Sequence, residues 1–173
     1  MSTGEVYHSS YATLPDGKND SRLSTEELIK GVPAGTGILI VAHPGHELRM
    51  HGWLQAVHPT TCVLTDGSGH SGQSRLASTS KVLEDVDAKI GALYGRLTDM
   101  QLYEAVLDLD HRLFIELASE LSDALITEQV DYVVGDRAEG YNPGHDVCRL
   151  LIDAAIEAAR QRHHKEIANF DFT

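Results

Sequence analysis

Two short peptides of this chain place histidines in turns that also contain proline and glycine, and their imidazoles are the groups best suited to bind a metal ion. In the first peptide, residues 42–47, His43 and His46 stand in an H-x-x-H spacing directly after an apolar run. In the second peptide, residues 141–146, His145 also follows an apolar run. Three imidazoles with an open fourth position are typical of a catalytic zinc site, which lowers the pKa of bound water to about 7. The pattern therefore predicts one divalent metal ion, with Zn²⁺ expected.

The chain has ten histidines, and most of the others are expected to lie at the surface or beside helix ends. His51 follows His46 by five residues, so the two would point to different faces of a helix and do not form an H-E-x-x-H zinc motif. His70 lies in a glycine-rich loop at residues 66–72 and is predicted to contact substrate. That loop has no phosphate-binding G-x-x-x-x-G-K-[ST] motif, and no G-x-G-x-x-G follows the first strand, so nucleotide cofactors are not expected.

Short apolar runs alternate with amphipathic segments along most of the chain, which is the pattern of an α/β protein. Strands are predicted at residues 37–41, 61–65, 131–135 and 167–172, with a shorter one near 92–94. Helices are predicted at residues 47–57, 74–87, 110–128 and 145–162. This alternation predicts a mostly parallel sheet with right-handed crossovers. The two histidine peptides would then follow separate strands, at the sheet edge where such folds bind ligands.

The length of 173 residues and the hydrophobic content of 42% fit one globular domain. Residues 1–22 lack periodicity and are predicted to form a flexible arm, followed by a single domain at residues 23–173.

The formal net charge of −12 argues against nucleic acid and anionic membranes as partners. No run approaches the roughly 18 apolar residues of a membrane span, and a signal-peptide pattern is lacking, so a cytoplasmic location is expected. Cys62 and Cys148 are expected to be core residues rather than a disulfide.

The two peptides resemble the motifs of the PIG-L/LmbE-like N-acetylglucosaminyl deacetylase family. The family motifs read Ala-His-Pro-Asp-Asp-Glu after the first strand and His-Pro-Asp-His after a later strand. This chain has Ala-His-Pro-Gly-His-Glu and Asn-Pro-Gly-His at the corresponding positions, and the similarity extends over residues 37–160. The resemblance implies a Rossmann-like three-layer α/β sandwich, a zinc site, and an N-acylated sugar as the small-molecule substrate.

Carried over to this sequence, the resemblance assigns the metal ligands to His43, His46 and His145. His46 stands where the family has a carboxylate, which keeps a donor atom but removes a negative charge. Gly45 stands at the position of the family's general base, and Gly144 at the position of an aspartate that supports a catalytic histidine. Neither glycine can transfer a proton, and such help is typically worth about 10²–10⁴ in rate.

Other residues are candidates for the missing proton transfer. Asn142 replaces the family's catalytic histidine and could still donate a hydrogen bond to an oxyanion. Glu139 and Asp66 are predicted to serve as base, with Asp136 and Asp146 as further candidates. The preferred role of Asp146, however, is to cap the helix that follows it.

The remaining candidate residues would support the site from its surroundings. Glu47 begins a helix, where its carboxylate suits the helix dipole, and it is also predicted to orient a ligand imidazole from behind. Arg96 and Tyr141 are predicted to line the pocket and contact substrate, together with His70.

Two functions are compatible with these residues. The first is a metal-dependent hydrolase of amide C–N bonds, with deacetylation of an N-acyl sugar or related conjugate as the expected activity; three histidines would also permit different metal chemistry. The alternative is a non-catalytic protein of the same fold that binds a metal or small molecule and has lost its general base. A carboxylate within about 3 Å of the metal's open position would favour the first. A homo-oligomer is also expected, because the family continues past residue 173 with strands that help to cover the pocket.

Overall fold

Five parallel strands form the centre of the fold in the computed structural model, which describes residues 31–172. The strands are β1 Gly37–Val41, β2 Thr60–Thr65, β3 Lys89–Leu97, β4 Tyr132–Asp136 and β5 Ala168–Phe172. Their order is β3-β2-β1-β4-β5, and every neighbouring pair is parallel, so the predicted sheet is confirmed. The predicted arm at residues 1–22 and the first residues of the predicted domain lie outside the described residues.

Within residues 31–172, five α-helices cover the two faces of the sheet and complete the predicted Rossmann-like three-layer sandwich. They are α1 His51–Val57, α2 Leu76–Asp85, α3 Asp99–Leu107, α4 His111–Thr127 and α5 Pro143–His163, with short 3-10 turns at His46–Met50 and Gly69–Ser71. The helices α1 and α2 pack on one face of the sheet, and α3, α4 and α5 pack on the other. None of the helices within residues 31–172 combines the length and the apolar character needed to span a bilayer.

The strand β1 shows why the sheet has a hydrophobic core on each face. All five of its residues are buried, and successive side chains of a strand point to opposite faces. Ile38 and Ile40 pack against α4 and α5, whereas Leu39 and Val41 pack against α1 and α2. The uninterrupted apolar run therefore reflects burial on both sides, as expected for a central parallel strand.

The two cysteines are buried free thiols in the core beneath α4 and α5, as predicted. Burial raises the pKa of Cys62 to about 11, and it raises the pKa of Cys148 as well. Both side chains are therefore unreactive packing residues at neutral pH.

Several elements differ from the sequence prediction: the predicted helix at residues 47–57 begins with a 3-10 turn and is α-helical only from His51, and β3 and α3 differ more. The strand β3 has nine residues, and it pairs with β2 through register irregularities that disturb the alternating pattern used to predict strands. The sequence prediction lacks α3, although its start carries a recognisable signal. The Thr98 hydroxyl accepts a hydrogen bond from the Gln101 amide, and the Gln101 side chain accepts one from the Thr98 amide. This capping box corresponds to the T-x-x-Q spacing in the sequence.

The strands β1 and β4 are neighbours at the centre of the sheet. From β1 the chain continues to β2 on one side and later returns to β4 on the other side. In open α/β sheets, such a change of direction creates a crevice at the carboxyl ends of the two strands. Residues 42–47 follow β1 and residues 137–146 follow β4, so both histidine peptides border this crevice.

Gly135, within β4, has no room for a side chain. A Cβ atom there would lie 2.5 Å from Ile152 Cδ1 and 2.8 Å from the Ile40 carbonyl oxygen. Because this oxygen belongs to the backbone of the neighbouring strand, Gly135→Ala is expected to lower the free energy of unfolding by about 1–3 kcal/mol. Urea denaturation followed by circular dichroism measures the change. Gly144→Ala is the control, since its Cβ would meet nothing closer than 3.3 Å, and an equal loss in both variants would contradict the steric explanation.

Candidate metal centre

The imidazoles of His43, His46 and His145 lie together at the carboxyl ends of β1 and β4. One ligand nitrogen from each ring lies within 4.8 Å of the other two, and two of the three residues are buried. The Nε2 atoms of His43 and His145 are 3.0 Å apart although the residues are 102 positions apart in the sequence. The predicted convergence of these three residues is confirmed, and together they could hold a metal ion.

Two carboxylates determine which nitrogen of two of these rings faces the cluster. His46 Nδ1 donates to Asp136 Oδ1 at 2.7 Å, and His145 Nδ1 donates to Glu139 Oε2 at 2.7 Å. An ionised carboxylate only accepts hydrogen bonds, so each Nδ1 carries a proton, and in the neutral ring the lone pair is on Nε2. Histidine ligands of metals commonly have such carboxylate partners, which fix the ring orientation and raise the basicity of the ligand nitrogen.

The spacing of the ring nitrogens suits a small divalent cation. A tetrahedral zinc ion with Zn–N bonds of about 2.0–2.1 Å holds its ligand nitrogens about 3.3–3.4 Å apart. The separation of 3.0 Å between the Nε2 atoms of His43 and His145 is close to that value. The pKa of His43 is lowered, first by burial and then by the neighbouring His46. A lowered pKa favours the neutral imidazole, which is the form that binds a metal.

The turn that carries His43 and His46 depends on a glycine and a buried carboxylate. Gly45 has a φ of 106°, in the left-handed region that side chains rarely adopt. Its amide donates to Glu47 Oε2 at 2.6 Å, and the Thr79 hydroxyl donates to Glu47 Oε1 at 2.8 Å. Glu47 therefore secures the turn against α2, and the structure corrects the predicted contact between this carboxylate and an imidazole.

Two polar side chains, those of Asn142 and Asp146, hold the turn after β4. Asn142 caps α5, because its side-chain oxygen accepts from the Gly144 amide at 3.0 Å. Asp146 Oδ1 accepts from the amides of Glu139 at 2.7 Å and Gly140 at 3.0 Å. The predicted capping role of Asp146 is wrong because α5 begins earlier than predicted, which places this residue within its first turn. It fixes instead the loop that presents Glu139 to the cluster.

A buried arginine connects α5 to the carboxylate behind His46. Arg149 Nε donates to the main-chain carbonyl of Asp136 at 2.7 Å, and Asp136 Oδ2 accepts from the Ala42 amide at 2.6 Å. Burial alone would raise the pKa of Asp136, but the hydrogen bonds from His46 and from the Ala42 amide outweigh it and keep the pKa below its usual value. His145 and Arg149 are one helical turn apart on the same face of α5. This face therefore provides the candidate ligand His145 and also holds Asp136, the residue whose carboxylate contacts His46.

A cavity of about 250 Å³ adjoins His43. Its polar lining residues are Thr65, His70, Arg75, Asp99 and Asn142, and its apolar lining includes Met100, Leu102 and Tyr103. The predicted positions of His70 and Asn142 beside a substrate cavity therefore agree with the structure. Their contacts with substrate stay a prediction.

Two residues at this cavity, Arg75 and Asp99, are absent from the sequence prediction. Asp99 accepts hydrogen bonds from the Thr65 hydroxyl and from the Gly69 amide, the latter at 2.7 Å. It follows the carboxyl end of β3 by two residues, so a longer predicted β3 would have drawn attention to it. Arg75 Nε donates to the Gly67 carbonyl at 2.6 Å, and no sequence motif indicates that this side chain reaches the cavity.

Two predicted substrate contacts lie elsewhere. Arg96 Nε lies 3.8 Å from Glu120 Oε2 on the surface, and Arg96 is not among the lining residues. Tyr141 is 78% exposed and is also not among them. A hydrogen bond from Tyr141 lowers the pKa of Glu139. Neither side chain is therefore placed at this cavity, and the contact of Arg96 and Tyr141 with substrate stays a prediction.

The two carboxylates predicted as bases make other hydrogen bonds. Asp66 Oδ1 accepts from the Ser68 amide at 3.0 Å and so stabilises the glycine-rich loop. Glu139 orients the His145 ring through the bond described above. Neither carboxylate lines the cavity. The action of Asp66 and Glu139 as bases stays a prediction. The hydrogen bonds described here do not favour it, because they direct both carboxylates to other groups.

Comparisons of the chain with protein-family models, with curated proteins and with solved structures found no match. The family resemblance of the two histidine peptides therefore stays an expectation from their motifs. The sheet topology and the three-histidine cluster are observed in the structure and do not depend on that resemblance.

Proposed function

We propose that this protein is a metal-dependent hydrolase of amide C–N bonds whose substrate is an N-acylated sugar or a related conjugate. The observation that carries the proposal is the cluster of His43, His46 and His145, in which two carboxylates keep Nε2 lone pairs available for a cation. A cavity that could take an acyl group and part of its carrier adjoins this cluster. The motif resemblance to PIG-L/LmbE-like deacetylases supports the choice of reaction.

The proposed ion is Zn²⁺, because it accepts three imidazole ligands and retains an open position. When bound, it supplies a Lewis acid for the amide carbonyl and a water whose pKa is about 7. The protein's contribution is to hold two of the ligand imidazoles in one tautomer. Asp136 and Glu139 do this by keeping the protons of His46 and His145 on Nδ1.

Asn142 is the proposed donor to the carbonyl oxygen of the substrate. The Gly144 amide holds the side-chain oxygen of Asn142, which fixes its Nδ2 atom 2.9 Å from His145 Nε2. When His145 gives its Nε2 lone pair to a cation, the Asn142 N–H loses this acceptor and becomes available to the substrate. A donor fixed in advance in this way typically contributes about 2.7–4 kcal/mol to transition-state stabilisation.

Asp99 is the proposed proton acceptor. Among the described residues it is the one acidic side chain in the cavity lining, and Gly45 and Gly144 offer no side chain at the family positions. The Thr65 hydroxyl and the Gly69 amide orient the carboxylate of Asp99.

Zinc-dependent release of acetate tests this proposal. Full-length protein, stripped with a chelator and reloaded with one equivalent of Zn²⁺, is expected to deacetylate N-acetylglucosamine or its glycosides, whereas the stripped protein is inactive. Asp99→Asn is expected to lower kcat by about 10²-fold or more, because general base catalysis is lost while the ligands remain. Asp131→Asn, which changes an exposed aspartate remote from the cavity, is the matched control.

The non-catalytic alternative also has a specific observation in its favour. The carboxylates nearest the imidazoles, those of Asp136 and Glu139, are already used to orient His46 and His145. Stoichiometric zinc binding without release of any acyl group, in wild type and with each N-acyl sugar tried, would contradict the hydrolase and support a metal-binding protein.

A further inference from the structure

An apolar groove of about 670 Å³ crosses the outer surface formed by α3, α4 and α5. Its lining includes Val106 from α3, Phe114 and Ala118 from α4, and Val147 and Ala154 from α5. No residue of this lining belongs to the cavity at the metal centre. The groove is therefore distinct from that cavity.

Large apolar side chains protrude from the lining of this groove and from α3. Leu107 is 81% exposed, Leu109 67%, Ile115 66% and Leu150 66%. Met100 and Tyr103 precede Leu107 at helical spacing on α3, and both are also exposed. Single exposed apolar residues are normal in soluble proteins, but a contiguous patch indicates an interaction site.

We infer that this surface, the α3–α5 face, is the contact between two copies of the chain related by a twofold axis. A twofold contact uses the same patch on both copies, so the patch must be complementary to itself. The α3–α5 face meets this requirement, because protruding side chains such as Leu109 and Ile115 lie on the same surface as the groove that could receive them.

The charge of the chain favours this face over others for self-association. The formal net charge is −12, so two copies repel each other across most orientations. The groove lining contains no aspartate, glutamate, lysine or arginine. Burial of the groove lining therefore requires no desolvation of charged groups.

The apolar area is sufficient for a stable pair. Burial of one large apolar side chain removes on the order of 100 Å² from water. The six exposed side chains named above would bury about 600 Å² per copy and about 1,200 Å² in total, which reaches the lower limit of a standard interface. Met100 and Tyr103 also line the cavity beside His43. The second copy would therefore border the mouth of the candidate metal centre, although the inference does not depend on catalysis.

Sedimentation velocity of the full-length protein tests the inference. The wild type is expected to sediment at micromolar concentration with twice the chain mass of 18.9 kDa. Ile115→Glu would bury an unpaired charge in the interface and is expected to raise the dissociation constant at least about 100-fold, giving a monomer. Ile90→Glu is the matched control, because Ile90 is 54% exposed on β3, away from this face. Circular dichroism checks that each variant is folded, and Leu109→Glu replaces the Ile115 variant if helix content is lost.

Two results would overturn the inference. One is a wild-type protein that remains monomeric up to concentrations of about 100 µM. The other is a dimer that persists in both Ile115→Glu and Leu109→Glu, which would place the contact elsewhere, for example at the exposed edge strand β5.

Discussion

Replacing His145 with alanine is expected to weaken Zn²⁺ binding by well over 100-fold, so that the purified protein no longer contains stoichiometric metal. Loss of a partner that only orients a ligand typically costs about 10–100-fold in affinity, and this substitution removes a ligand nitrogen itself. It also leaves Glu139 and Asn142 without the ring that each contacts. Elemental analysis and competition with a chromophoric chelator measure the effect.

The matched control is His58→Ala. The Nδ1 atom of His58 also donates to a fixed acceptor, the Val86 carbonyl, at 2.7 Å, but its residue is exposed and its ring lies outside the three-histidine cluster. This variant is expected to lose some stability and to keep its zinc. A His145→Ala protein that retains one tightly bound zinc per chain would contradict the proposed centre, as would equal zinc loss in both variants.

Asp136→Asn is expected to lower zinc affinity by about 10–100-fold while every ligand remains in place. The carboxylate of Asp136 accepts two hydrogen bonds, from His46 Nδ1 at 2.7 Å and from the Ala42 amide at 2.6 Å. An asparagine side chain has only one oxygen, so its amide group must face one of these two donors. If it faces His46, the imidazole proton moves to Nε2 and blocks the lone pair that a cation needs. If it faces Ala42, the N–H groups of the new side chain and of the Ala42 amide oppose each other, and the turn that carries His43 shifts.

The Asp131→Asn variant provides the comparison for this prediction. Asp131 immediately precedes β4, at the opposite end from Asp136, and accepts from the Thr36 amide at 2.8 Å and from Lys165 Nζ at 3.0 Å. Its replacement also removes a charge that contacts a backbone amide, but no histidine is involved. Zinc titration monitored by calorimetry should separate the two variants. Unchanged zinc affinity in Asp136→Asn would show that this carboxylate does not orient a ligand.

The regular elements were predictable where burial leaves a local pattern in the sequence. The continuous apolar run at residues 37–41 and the helical spacing of Leu117, Leu121 and Leu125 identified β1 and α4 because each is buried by its neighbours in a regular way. The strand β3 was predicted too short because its pairing with β2 is irregular. The helix α3 escaped prediction because its apolar face is only partly buried and its clearest signal is a cap.

The sequence by itself determined which residues are available for chemistry: three histidines in two short peptides that each follow an apolar run. Only the tertiary structure decided which other groups accompany them. It placed Asp136 and Glu139 behind two of the imidazoles and Arg75 and Asp99 at the cavity, and it left Arg96 in solvent. The physical reason is that periodicity and residue type are local properties of the chain. Contacts between distant side chains depend on strand order, register and the start of each helix, which no short stretch of sequence specifies.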